Sequence, residues 1–83
     1  NIHLIMSDDL KEKLEDRMIL YKDIEDTIKK AEETKEKFFN KSNNHNLAYY
    51  RIKNVTFWVE YTIEGGKYLV YNAYSHRMKI EVN

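Results

Sequence analysis

Glu60, Tyr74, His76 and Arg77 are the side chains of this 83-residue chain whose types and spacing could do chemistry. His76 could move a proton and Arg77, its neighbour, could clamp an anion. With Glu60 and Tyr74 they would form a pocket for an anionic metabolite, provided all four converge on one point. The plainer reading is a histidine at a strand end and an arginine bridging to a surface carboxylate. No Ser-His-Asp pattern, phosphate-cradling glycine loop or paired-carboxylate motif supports the catalytic reading, and the plainer one outweighs it. Glu60 is expected to pair with Arg51 or Arg77. His3, His45 and His76 match no zinc spacing. With no cysteine, thiolate chemistry, disulfides and cysteine-held clusters are excluded. No metal or cofactor of its own is expected.

The second set of candidates is aromatic. Seven Tyr, three Phe and one Trp occur in the chain, most of them after Ala48. Tyr49, Trp58 and Tyr71 could stack a planar ligand such as a flavin, nicotinamide or base, or pack against a protein. Exposed aromatic patches more often mark protein contacts, including homodimer seams. The candidate partner or ligand site is therefore Tyr49, Trp58, Glu60, Tyr71, Tyr74, His76 and Arg77.

The elements that position these residues follow from periodicity. Ser7 is a candidate N-cap with Asp8 and Asp9 in the first turn, and Leu10, Leu14 and Met18 form one stripe, predicting a helix from about Asp8 to Met18. Ile19 and Leu20 break the period and form an extended joint. Ile24, Ile28, Ala31 and Phe38 predict a second helix from about Lys22 to Phe39. Glu25–Lys29, Asp26–Lys30 and Glu33–Lys37 would be i,i+4 pairs on its solvent side. Asn40 to Asn46 reads as a polar loop.

The remainder alternates as strands. Gly65-Gly66 fits a two-residue type I′ hairpin, setting Ile63 opposite Tyr68, Tyr61 opposite Val70, Val59 opposite Asn72 and Phe57 opposite Tyr74. Lys53-Asn54 closes an earlier hairpin, with Ile52 opposite Val55 and Tyr50 opposite Phe57. One face then carries Ala48, Tyr50, Ile52, Val55, Phe57, Val59, Tyr61, Ile63, Tyr68, Val70 and Tyr74, the predicted core side. The other carries Leu47, Tyr49, Arg51, Thr56, Trp58, Glu60, Thr62, Leu69, Tyr71 and Ala73. A one-residue slip would exchange them. After Tyr74 the strand either runs on past its partner or turns at Ser75-His76 into a fourth strand. An overhang would expose unpaired edge groups, which Ile2–Ile5 could cover.

The expected fold is α+β in two layers, with N-terminal helices (about 7–39) packed on one face of a three- to four-stranded antiparallel sheet (about 47–82), in one small domain. The core expectation is Leu14, Ile24, Ile28, Ala31, Phe38, Tyr50, Phe57, Val59, Tyr61 and Val70. Fourteen acidic and fourteen basic residues balance to zero net charge, which argues against nucleic-acid binding. No apolar run approaches the ~20 residues that span a bilayer, so a membrane role is not expected and the default compartment is cytoplasmic.

Asp16-Arg17-Met18-Ile19-Leu20, Asp23-Ile24, Ala31-Glu32-Glu33-Thr34, Val55-Thr56-Phe57-Trp58-Val59-Glu60-Tyr61 and Asn72-Ala73-Tyr74-Ser75-His76-Arg77-Met78 together carry a resemblance. The chain resembles a small uncharacterised module of anaerobic bacteria that accompanies flavin- and iron–sulfur-dependent pyridine-nucleotide oxidoreductases, some of them glutamate-synthase-like. The resemblance spans roughly Leu10 to Val82. It implies an accessory role, with flavin, nicotinamide site and clusters held by the larger protein. The expected partner is therefore a protein of that kind, or a second copy of the chain.

Overall fold

A computed structural model describes residues 2–77. The order along the chain is β1 (His3–Ile5), α1 (Asp8–Asp16), α2 (Tyr21–Thr34), β2 (Lys37–Asn40), β3 (His45–Ile52), β4 (Val55–Glu64) and β5 (Lys67–Arg77). The fold is α+β. The sheet has five strands in the order β1-β5-β4-β3-β2, not three or four. It is mixed rather than antiparallel, because β1 pairs with β5 in parallel.

Ser7 begins α1 as expected, its hydroxyl accepting the Leu10 amide at 3.1 Å. The helix stops short of Met18. Met18 takes a left-handed conformation (φ 57°), and the Ile19 amide reaches back to the Leu14 carbonyl at 2.9 Å. That closure satisfies a terminal carbonyl. It also turns Met18 into solvent and Ile19 into the core. Leu20 then leads into α2, where the Asp23 carboxylate accepts the Leu20 amide at 2.9 Å.

The second helix ends at Thr34, five residues before the expected limit. Lys35 is left-handed (φ 63°), and the Thr34 hydroxyl donates to the Lys30 carbonyl while accepting the Glu36 amide. Lys37–Asn40 becomes β2, so the expected Glu33–Lys37 helical pair has no helix to sit on. Lys37 instead meets Glu32 at 2.5 Å. The hydrogen-bonded pair on the solvent side of α2 is Lys22–Asp26, at 3.0 Å. The expected loop shrinks to residues 41–44. There Asn40 Oδ1 accepts the Ser42 amide, Asn43 Oδ1 accepts the His45 amide, and Asn44 is left-handed. Asparagine suits both tasks.

The β3–β4 register is the expected one. Between β4 and β5 it holds from Ile63↔Tyr68 to Tyr61↔Val70, then slips. Glu60 faces Asn72, Val59 faces Ala73 and Trp58 faces Tyr74. Tyr71 is the extra residue of a β-bulge. The slip exchanges the two faces of β5 beyond it, so Ala73 enters the core and Tyr74 moves to the opposite side. Strand β5 runs straight through Ser75-His76 to Arg77, which pairs with Val55. Met78 to Val82, where a fourth strand was considered, lie outside the described residues. Strand β1 pairs with Lys67–Leu69, not with the far end of β5.

Both helices cover one face. Leu4, Leu10, Leu14, Ile19, Ile24, Ile28, Ala31, Ala48, Val59, Tyr61, Val70 and Ala73 form one buried cluster. Tyr50 and Phe57 are only half-buried, and Phe38 is 57% exposed, contrary to expectation. Phe38 sits on β2, not on a helix stripe. Among the described residues no helix is long and apolar enough to cross a membrane.

Candidate functional site

The face of the sheet away from the helices carries the site. Tyr49, Trp58 and Tyr74 are direct cross-strand neighbours on β3, β4 and β5. Phe38 on β2 completes a row of four rings. Centroid separations are 5.6 Å for Phe38–Tyr49, 5.4 Å for Tyr49–Trp58 and 6.4 Å for Trp58–Tyr74. Such tilted and offset contacts are favourable beyond area burial. They hold the rings in place on an uncovered surface. The Lys30 ammonium reaches round from α2 to lie 4.8 Å from the Tyr49 ring centroid.

Beside this row lies a polar group. His45 Nδ1 meets Glu60 Oε2 at 2.6 Å. An ionised carboxylate can only accept, so against it Nδ1 is the donor. The ring lies flat on Tyr71, with centroids 3.9 Å apart and planes within 7°. The Tyr71 hydroxyl in turn shares a 2.8 Å hydrogen bond with Thr62. A shallow hollow of about 320 Å³ opens here between Phe38, His45, Leu47, Glu60, Asn72 and Tyr74. It could seat a small polar molecule.

Six of the seven expected residues therefore share the outer face: Tyr49, Trp58, Glu60, Tyr71, Tyr74 and His76. His76, opposite Thr56, lies on the same face one step beyond the ring row. Arg77, opposite Val55, falls by the pleat on the other face. Glu60 and Thr56, the partner of His76, are four residues apart on β4, or roughly 13 Å. Glu60, Tyr74, His76 and Arg77 do not converge on one point. Glu60 pairs with His45 rather than with Arg51 or Arg77. The three histidines lie on three different strands, and among the described residues no three His, Asp or Glu side chains are placed to hold a metal ion.

Phe38 and His45 were missed as members of the site because Phe38 lies on β2 and His45 begins β3 opposite Asn40, where a helix end and a polar loop were expected. The signal was the adjacent Phe38-Phe39 pair before an Asn-rich turn, which a helical spacing also accommodates.

A second polar network ties the layers together. The fully buried Tyr61 donates its hydroxyl to Glu32 on α2, and Lys37 completes the group. Burial pushes the Tyr61 phenol up, and the Glu32 carboxylate adds to that. For Glu32 burial acts upward, but hydrogen bonds from Lys37 and Tyr61 and the charges of Lys37 and Lys35 outweigh it, leaving the carboxyl below its usual range. This network faces the interior and is structural.

No family model, curated protein or solved structure matches the chain.

Proposed function

We propose that this chain is a non-catalytic accessory domain that binds protein through the outer face of its sheet. The observation that carries the reading is the four-ring row Phe38–Tyr49–Trp58–Tyr74. It crosses four strands with no helix over it, and Phe38 and Tyr74 are 57% and 40% exposed. A row of pre-ordered rings loses little side-chain entropy on docking. Trp and Tyr are the residues that most often dominate such contacts.

The sequence resemblance supports a flavin- and iron–sulfur-dependent oxidoreductase of a bacterium as the larger protein served, in the cytoplasm, with the domain holding no cofactor itself. Titrating the domain into the purified holoenzyme tests this directly. Binding that is lost in Trp58→Ala supports the reading, whereas binding indifferent to Trp58 removes it. A small-ligand function has one observation in its favour, the hollow beside His45 and Glu60. Its floor carries a carboxylate, which suits a hydrogen-bond donor better than an anionic metabolite.

A further inference from the structure

Resting on that docking reading, we infer that the hollow beside the ring row receives a lysine side chain of the docked protein, its ammonium set on Glu60 and flanked by the rings.

Charge points to a cation. The Glu60 side chain is 31% exposed, and its Oε2 is taken by His45 Nδ1 at 2.6 Å. A neutral imidazole donates that proton as well as a charged one does, and then leaves the carboxylate's charge uncompensated. Among the described residues, Glu60 Oε1 has no hydrogen-bond partner, and no lysine or arginine lines the hollow. Cations near the outer face are held elsewhere: Arg17 on the Ala73 carbonyl and Asn72 Oδ1, Arg51 on the Lys53 carbonyl, and Lys30 over the Tyr49 ring. A single open carboxylate oxygen suits an ammonium point charge, whereas a guanidinium fork uses both oxygens.

The walls fit the same guest. Phe38 and Tyr74, the two ends of the ring row, line the hollow with Glu60 and Leu47. Aromatic faces attract an ammonium group, more strongly once water is displaced. Leu47, opposite Glu60 on the neighbouring strand, gives the methylene stem of a lysine an apolar surface to lie on.

Depth identifies the source. The hollow holds about 320 Å³, yet Phe38 and Tyr74 remain 57% and 40% exposed. A site for a free small molecule encloses roughly 70–90% of its ligand. Here that enclosure comes only from a protein docked on the ring row, which covers the opening and presents the lysine from above. The rings then supply contact area and Glu60 supplies charge specificity.

Two titrations of the full chain test this, with circular dichroism confirming the fold of Glu60→Gln and Tyr74→Leu. In the first, n-butylammonium stands in for the lysine side chain, in mildly alkaline buffer where imidazole is neutral, followed by proton–nitrogen NMR. Weak binding, about millimolar, is expected, with shifts centred on His45, Glu60 and Asn72. Glu60→Gln weakens it by about tenfold or more, Tyr74→Leu by about two- to fivefold, and 1-butanol leaves the same signals in place. Shifts that Glu60→Gln leaves unchanged, or that 1-butanol reproduces, overturn the inference. So does butylammonium binding tighter than about 0.1 mM, which marks a site for a free amine. If Glu60→Gln does not fold, the 1-butanol contrast and Tyr74→Leu decide. In the second, the purified holoenzyme is titrated, and Glu60→Gln is expected to bind it about tenfold more weakly than the wild type. Full-strength binding of Glu60→Gln that Trp58→Ala still abolishes overturns the lysine contact and leaves the docking reading standing. No binding by the wild type overturns the docking reading, and the inference with it.

Discussion

His45 lies flat on Tyr71, with ring centroids 3.9 Å apart, although 26 residues separate them in the chain. The bulge makes this possible, since it adds Tyr71 to β5 where the regular ladder has no residue to match it. His45→Ala removes both the stack and the Glu60 contact. It is expected to lower stability by about 1–2 kcal/mol, read from urea unfolding. A cost near zero shows that the stack does not anchor β3.

The Tyr61–Glu32–Lys37 network makes stability depend on pH at both the acid and the alkaline end. Glu32 titrates lower folded than unfolded, so its contribution is complete above its ordinary value of 4.5 and is lost as pH falls below that. The Tyr61 phenol is raised, so its contribution is complete below its ordinary value of 10.0 and is lost above it, when the unfolded chain ionises first. Stability is expected to be flat between about pH 5 and 10 from these two groups. Glu32→Gln flattens the acid limb, and Tyr61→Phe the alkaline limb. Thermal unfolding across pH checks both.

Glu32→Ala leaves the buried Tyr61 hydroxyl without its acceptor and is expected to cost about 1–3 kcal/mol. Tyr61→Phe leaves Glu32 still paired with Lys37 and is expected to cost less. Equilibrium unfolding of the two variants gives the order, and the reverse order contradicts the network as described.

Gly65 and Gly66 both have positive φ, 55° and 76°, with open space around each. The cost of a side chain there is conformational rather than steric. Gly65→Asn, a type I′ residue, is expected to be neutral within ~0.5 kcal/mol, while Gly66→Val costs about 1–2 kcal/mol. Unfolding midpoints of the two variants test the turn type.

Among the described residues β1 pairs with residues 67–69 of β5, and no strand pairs with that edge beyond Leu69. Arg17 covers part of it, donating to the Ala73 carbonyl at 2.7 Å and to Asn72 Oδ1 at 3.0 Å. The same Asn72 oxygen accepts the Ala73 amide. Arg17→Ala uncovers an edge that can template another strand. Increased light scattering on concentration is expected, together with faster amide exchange at Ala73.

The hairpins were legible because Gly65-Gly66 and Lys53-Asn54 carry their turn geometry in the residues themselves. The Ser7 cap and the Ile24, Ile28 and Ala31 stripe were legible for the same local reason. Strand β2 was not, because Phe38 lies seven residues after Ala31 and satisfies a helical period as well as a strand period. The Tyr71 bulge carries no glycine, and alternation reads smoothly on either side of it, so the slip that moves Tyr74 outward and Ala73 inward leaves no local trace. Strand β1 is three residues long and pairs across the chain, which local pattern does not encode. Tyr49, Trp58, Glu60 and Tyr71 were placed together by alternation alone. His45 was not, since its position depends on where β3 begins.

The central claim is that Trp58 belongs to a docking face and not to the core. Urea unfolding of Trp58→Ala, run beside Tyr61→Ala and followed by circular dichroism, tests it most directly. Trp58→Ala is expected to cost about 1–2 kcal/mol, from its contacts with Phe38, Tyr49 and Tyr74. Tyr61→Ala is expected to cost about 3–5 kcal/mol, as for a buried aromatic. Equal costs in the core range would contradict the account, because a Trp58 that holds the fold together is not free to bind.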